Sequence, residues 1–220
     1  MTEPLNPRQI VARGYDQLTD RYAAWATSFP DESRQRYMRI LLDHARGGMR
    51  LLDLGCGTGV TSTKRLTDVY RVTAVDISPA NAKAAARALP KAQVICADMT
   101  QLAFPPESFD AISAFYSLIH IPREDLPEFF GRVTRWLRPR GLFVGCLMAR
   151  DTPADVADDW LGVPMYWSGY DSDRNRSILR EAGLTVHSAV EESVDEAGDP
   201  VTFLWVIAER PPLTVLSTNH

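Results

Sequence analysis

Residues 51–59, Leu-Leu-Asp-Leu-Gly-Cys-Gly-Thr-Gly, carry a short apolar strand through a carboxylate and into three glycines set two apart. Glycines at 55, 57 and 59 have no Cβ, so the chain can turn sharply after the strand and a ligand can lie against bare backbone N–H groups. A strand ending in such a turn predicts an open α/β sheet whose ligands sit beyond the carboxyl ends of the strands. The dinucleotide fingerprint would place a third glycine at position 60, where this chain has Val60. It would also place its acidic residue after the loop, whereas Asp53 precedes it. A negative charge beside the turn disfavours a pyrophosphate and favours a ligand carrying an ammonium group.

Two later runs repeat the arrangement. Val72-Thr73-Ala74-Val75 ends in Asp76, about 20 residues past the glycines, where a carboxylate can accept both hydroxyls of a ribose. Ser78-Pro79 then reads as a helix start, with Ser78 capping free N–H groups and Pro79 tolerated at the first helical position. Ala92 to Ala97 ends in Asp98-Met99. With three carboxylates at the ends of successive strands, the chain resembles the class I S-adenosylmethionine-dependent methyltransferases of small molecules, the quinone-methyltransferase-like type, over roughly residues 15–208.

The resemblance implies S-adenosyl-L-methionine as cofactor and S-adenosyl-L-homocysteine as its product. Asp53, Gly55, Cys56, Gly57 and Gly59 would surround the methionine end, and Asp76 the ribose. Asp98 would meet the adenine amine and Met99 cover the ring, with Ile77 and Phe115 completing the set. Tyr15 and Tyr22 would cover the methionine end from an N-terminal helix.

Strand-like runs at 50–54, 71–76, 92–97, 110–115 and 142–148 alternate with helix-like stretches, as in a parallel sheet covered on both faces. The clearest helix spans Arg123 to Leu137 and stops before Pro139. A further helix is expected over Asn175 to Ala182, followed by strands at 184–190 and 201–208 joined by an acidic turn. The expected fold is α/β, a doubly wound, mostly parallel seven-stranded sheet. The resemblance implies its strand order, 3-2-1-4-5-7-6 with strand 7 antiparallel. Residues 1–45 form an expected helical lid, residues 46–210 the core with a substrate cap at about 151–172, and residues 211–220 a loose tail.

Trp25, Tyr116, His120, Met165, Tyr166 and Trp167 are the candidate substrate contacts. Residues 159–170 gather these aromatics with Trp160 and Tyr170 in a loop broken by Gly162, Pro164 and Gly169; it reads as a pocket wall or as ordinary packing. Tyr22 and Trp25 share one helix face and suit either a lid or a core. Holding a nucleophile in line with an activated methyl donor supplies much of the rate by orientation. If a base assists, His120 is its best candidate, with a near-neutral pKa, against the reading of a structural or cofactor-contacting histidine. His44 and His187 have weaker claims.

A chain of 220 residues, 45% hydrophobic and 24% charged, fits one globular domain. Net charge −4 without a basic block argues against nucleic acid, as does Phe115-Tyr116-Ser117-Leu118 where base-amine methylation would use Asn-Pro-Pro-Tyr. Cytosine-carbon methylation would need a Pro-Cys nucleophile, which the chain lacks. Cys56, Cys96 and Cys146 lack metal-ligand spacing and read as reduced core residues, so no metal is expected. Neither a membrane-length apolar stretch nor a signal-peptide pattern is present, which points to a cytoplasmic protein with a small-molecule partner, no membrane and an open oligomeric state. Two other classes remain: a methyltransferase-fold protein that binds the cofactor without methyl transfer, as a ligand-binding module or a cyclisation enzyme, and a NAD-dependent oxidoreductase.

Overall fold

The computed structural model describes residues 6–28, 30–196 and 199–212. Residues 1–5 and 29 of the expected lid, residues 197–198 of the acidic turn and residues 213–220 of the expected tail lie outside the described residues. Two helices come first. Helix α1 (Pro7–Ala26) opens with a capping box in which Asn6 and Gln9 satisfy each other's backbone N–H groups, and α2 (Glu32–His44) opens on Asp31, whose carboxylate accepts from the Arg34 N–H. Then β1 (Arg50–Leu54), β2 (Arg71–Asp76) and β3 (Gln93–Cys96) alternate with α3 (Thr63–Leu66) and α4 (Pro79–Ala88). Strand β4 (Phe109–Ala114), helix α5 (Leu126–Trp136) and strand β5 (Leu137–Met148) follow. A hairpin of β6 (Thr152–Trp160) and β7 (Val163–Gly169) stands apart, before α6 (Ser172–Glu181), β8 (Thr185–Glu196) and β9 (Asp199–Glu209).

The main sheet has the order β3-β2-β1-β4-β5-β9-β8, with β1 to β5 parallel and β9 antiparallel to both its neighbours. Set apart from the β6–β7 hairpin, these seven strands follow the order that the resemblance implied. Successive strand residues face opposite ways, so Leu52 and Leu54 pack toward α5 and α6 while Leu51 packs toward α2. On α5, Leu126, Phe129, Phe130 and Val133 are buried in one stripe, each contributing about 1.5–3 kcal/mol. A third cluster lies off the sheet, where Val11, Tyr15 and Leu18 of α1 meet Val163, Met165 and Tyr166 of β7.

Three local expectations change. Residues 159–170 are not a loop: they form the end of β6, a tight turn and β7. Leu161 and Gly162 at the turn have φ of 53° and 88°, the two positive values that match a hairpin's twist, and the aromatic and branched residues on either side suit paired strands. The helix expected from Arg123 begins as a short 3₁₀ turn and becomes α-helical only at Leu126. It ends at Trp136 because β5 starts at Leu137 and Pro139 cannot extend a helix. Cys96 is exposed on the edge strand β3, while Cys56 and Cys146 are buried.

Met165 is fully buried, with its Sδ and Cε over the spot where Gly14 of α1 lacks a Cβ. Met165→Ala is expected to lower stability by about 2–5 kcal/mol in urea unfolding, the usual cost of emptying such a site. A loss below about 1 kcal/mol would mean that α1 and the hairpin do not hold each other.

Candidate active site

The site lies where β1, β2, β3 and β4 end. A Cβ added to Gly55 would strike Ser117, and one added to Gly59 would come within 2.6 Å of Leu89, so both glycines serve close packing. Gly57 differs, since an added Cβ would meet nothing within 4 Å. It faces a cleft of about 660 Å³ that Gly55 also lines. Of the three turn glycines only Gly57 has open space where a Cβ would stand, and its φ of 57° also favours glycine; Gly59 and Cys56 do not line the cleft.

Asp53 is also behind the wall. Its buried carboxylate accepts from Thr63 Oγ1 (2.5 Å) and Ser113 Oγ (2.7 Å), and burial pushes its pKa up while these bonds oppose the shift. Asp53 does not line the cleft, whereas the sequence led to the expectation of a direct contact with an ammonium. Asp76 does line it. One carboxylate oxygen accepts from the Gly57 N–H (2.7 Å), the other from the Ser78 N–H (3.0 Å) and Asn81 Nδ2 (3.4 Å). Burial raises its pKa, with the same bonds working the other way. A carboxylate offers about four acceptor sites, which leaves capacity for a ligand hydroxyl.

Asp98 and Met99 line the far end, and Ile77 and Phe115 the walls between. Asp98 accepts from the Thr100 N–H and Oγ1, both at 2.8 Å, and its other oxygen stands 2.7 Å from Arg8 Nε as an ion pair without hydrogen-bond alignment. Arg8 also donates to Asp125 (2.5 Å), strapping α1 across the cleft. Sequence reasoning missed Arg8. The signal was present, because a cation near the N-terminus of a helix opposes the helix dipole and calls for acidic partners elsewhere.

A second cavity, of about 990 Å³, opens between α1, α2, the hairpin and the β8–β9 pair. Tyr15, Tyr22, Tyr116 and His120 line both spaces. Trp25 and Trp167 line only the second, joined by Trp160, whose ring lies 5.8 Å from Trp25 and 5.6 Å from Trp167. Met165 and Tyr166, expected as substrate contacts, line neither: both side chains are buried where β7 packs on α1. Among the described residues no group of acidic, histidine and cysteine side chains could hold a metal, and no helix is long and apolar enough to cross a membrane.

His120 has both ring nitrogens engaged. Nδ1 lies 2.7 Å from the Tyr166 carbonyl oxygen and Nε2 lies 2.8 Å from the Tyr15 hydroxyl. A carbonyl only accepts, so Nδ1 carries the proton and donates it; Nε2 then accepts from Tyr15. Burial pushes the ring down to about 4, against the pull of the Tyr166 bond. The near-neutral base expected from the sequence is thus a neutral imidazole whose free lone pair is taken.

Residues 51–141 match a family described as a methyltransferase domain. The chain is 35% identical to the 27-O-demethylrifamycin SV methyltransferase of Amycolatopsis mediterranei (strain S699), over 88% of this chain and 79% of that protein. It is 30% identical to the malonyl-[acyl-carrier protein] O-methyltransferase of Halorhodospira halophila (strain DSM 244 / SL1), over 71% of this chain and 54% of that one, and so spans about half of that relative. The Burkholderia thailandensis 1,6-didemethyltoxoflavin-N1-methyltransferase, solved with 1,6-didemethyltoxoflavin and S-adenosylhomocysteine, shares the fold with a TM-score of 0.66 at 21% identity, over 96% of this chain and 93% of that one.

A histidine held at about 4 contributes stability that is present above its unfolded value of 6.5 and lost as pH falls toward 4. Between pH 7.5 and pH 5 the wild type should therefore lose about 2 kcal/mol more unfolding free energy than His120→Gln, which has no group to titrate. Parallel losses in the two proteins would show that His120 titrates normally.

Proposed function

The chain belongs to the class I S-adenosylmethionine-dependent methyltransferases, enzymes that move a methyl group to an O, N or C atom of a small molecule, and we propose that its acceptor lies in the second cavity with the cofactor in the first. The observation that carries this reading is the shared wall. Four side chains, Tyr15, Tyr22, Tyr116 and His120, stand between the two spaces, so ligands filling both would meet there. The residues fit the cofactor: a Cβ at position 57 would enter the open space, and Asp76 retains acceptor capacity beside it. When bound, S-adenosylmethionine supplies a methyl group on an activated sulfonium.

The protein's task is to orient the acceptor, exclude water and manage one proton. The Tyr15 hydroxyl gives its hydrogen to His120 and lines both cavities, so an acceptor O–H or N–H in the second would approach the phenol oxygen. As that proton moves to Tyr15, the Tyr15 proton can pass to His120 Nε2. The imidazolium so formed is disfavoured by burial, so this pair is a weak base and orientation supplies most of the rate. His120 acts through Tyr15 and is a positioning residue. Helix α1 and the hairpin serve as lid and cap, held together by the packing of Val11, Tyr15 and Leu18 on β7. The three free thiols suit a reducing compartment, the cytoplasm, and the acidic chain suits a small molecule better than a nucleic acid.

Incubation with methyl-labelled cofactor and a pool of small metabolites is expected to put label into a small molecule, read by mass spectrometry. Gly57→Val should abolish transfer and cofactor binding together while circular dichroism stays native. Tyr15→Phe should keep cofactor affinity and lower turnover by about 10- to 100-fold. Label that stays on the cofactor in the wild type across the pool would count against the reading, and undiminished turnover in Tyr15→Phe would remove the proton path.

A further inference from the structure

Arg34 sits in the first turn of α2, where a cation opposes the helix dipole, and it is nevertheless held firmly. The buried Asp31 carboxylate accepts from its backbone N–H (2.8 Å) and from its Nε (2.9 Å). Its guanidinium carbon lies 4.7 Å from the centre of the Tyr116 ring, a cation–π distance. Tyr116 donates from its hydroxyl to the same Asp31 carboxylate (3.1 Å) and packs edge-on against Phe203 and Trp205. Its backbone has φ of 57°, a left-handed conformation that is costly for a bulky residue and persists only where the surroundings enforce it. In this conformation the Tyr116 side chain reaches the Asp31–Arg34 pair of α2.

Tyr22, Asp31 and Tyr116 lie close enough to favour its charge, but among the described residues no hydrogen bond reaches the far end of this arginine. Its terminal nitrogens Nη1 and Nη2 have no hydrogen-bond partner among the described residues, and they are not sealed from solvent. Arg34 lines the second cavity, whose walls include the rings of Tyr22, Trp25, Trp160, Trp167 and Phe203 beside aliphatic residues such as Ile119 and Met148. The charged residues on that wall are Arg34, Asp31 and the exposed Asp155, so it bears one net negative charge before a ligand enters. Such a wall offers a planar donor fork to an oxygen yet opposes a second anion.

We propose that Arg34 anchors the acceptor, its terminal N–H groups donating to a carbonyl oxygen of an uncharged, planar molecule stacked among the aromatic walls of the second cavity. The proposal rests on the assignment of that cavity to the acceptor. Asp31 and Tyr116 fix the fork in place, so little conformational freedom is lost when a ligand binds. An acceptor that presents a carbonyl oxygen to Arg34 fits this site better than one that presents a carboxylate or a plain hydrocarbon edge.

Calorimetric titration of the whole chain, saturated with S-adenosylhomocysteine, tests this with three matched probes: 1-hydroxy-2-acetonaphthone, 2-ethyl-1-naphthol and 1-hydroxy-2-naphthoate. The ketone is expected to bind about tenfold or more tightly than the ethyl compound, as hydrogen bonds to a charged group allow, and more tightly than the carboxylate. Arg34→Met should bind ketone and ethyl compound alike, and Arg34→Lys, which keeps the charge without the fork, should restore only some of the preference. Equal wild-type affinities for ketone and ethyl compound overturn the proposal without any variant. So does tightest binding of the carboxylate, or a full ketone preference in Arg34→Met. A wild type that binds S-adenosylhomocysteine and none of the probes overturns the assignment of the cavity and the proposal with it. Failure to bind S-adenosylhomocysteine overturns the cofactor assignment first.

Discussion

The hydrogen bond from the Gly57 N–H to the buried Asp76 carboxylate ties the end of β2 to the glycine turn that follows β1. An ionised carboxylate out of water is costly unless its oxygens are hydrogen-bonded. Asp76 meets that requirement with backbone N–H groups from two segments and the Asn81 amide, and the turn is held open as a result. Asp53 does the same at a deeper layer, where the hydroxyls of Thr63 and Ser113 fix β1 against α3 and β4. The two carboxylates thus shape a concave surface at the carboxyl ends of adjacent strands. Gly57 is the point on it where the missing Cβ is left unfilled.

Above this floor the site is completed by elements outside the parallel sheet. Helix α1 reaches across with Arg8 at one end, paired to Asp98 and Asp125, and with Tyr15 in the middle, bonded to His120. The hairpin contributes the Tyr166 carbonyl, which sets the tautomer of that histidine, and Met165, which packs under α1. Packing and protonation state therefore depend on each other. A shift of the hairpin would free His120 Nδ1 as well as loosen the helix above it.

The sheet is legible in the sequence because its strands are short apolar runs ending in glycine or aspartate, and Gly57, Asp76, Asp98 and Met99 do face one cleft. Other features need long-range information. Whether a glycine faces a ligand or a neighbour is decided by Ser117 and Leu89, which are far from Gly55 and Gly59 in sequence. The hairpin reads as a loop because Gly162 and Pro164 mask its alternation, and a turn with two positive φ values can look like a break in structure. That misreading hides the donor–acceptor state of His120, since its partner is a main-chain carbonyl 46 residues away. Arg34 escapes notice for a different reason: a cation in a first turn looks like surface decoration until Asp31 and Tyr116 are seen to hold it.

A crystal structure of the chain with S-adenosylhomocysteine tests the central claim most directly. The account predicts a ribose hydroxyl within hydrogen-bond distance of Asp76, the ligand backbone against Gly57, and the sulfur facing the wall of Tyr15, Tyr116 and His120. A ligand seated in the cleft with its sulfur turned away from that wall, or held elsewhere on the surface, would contradict it.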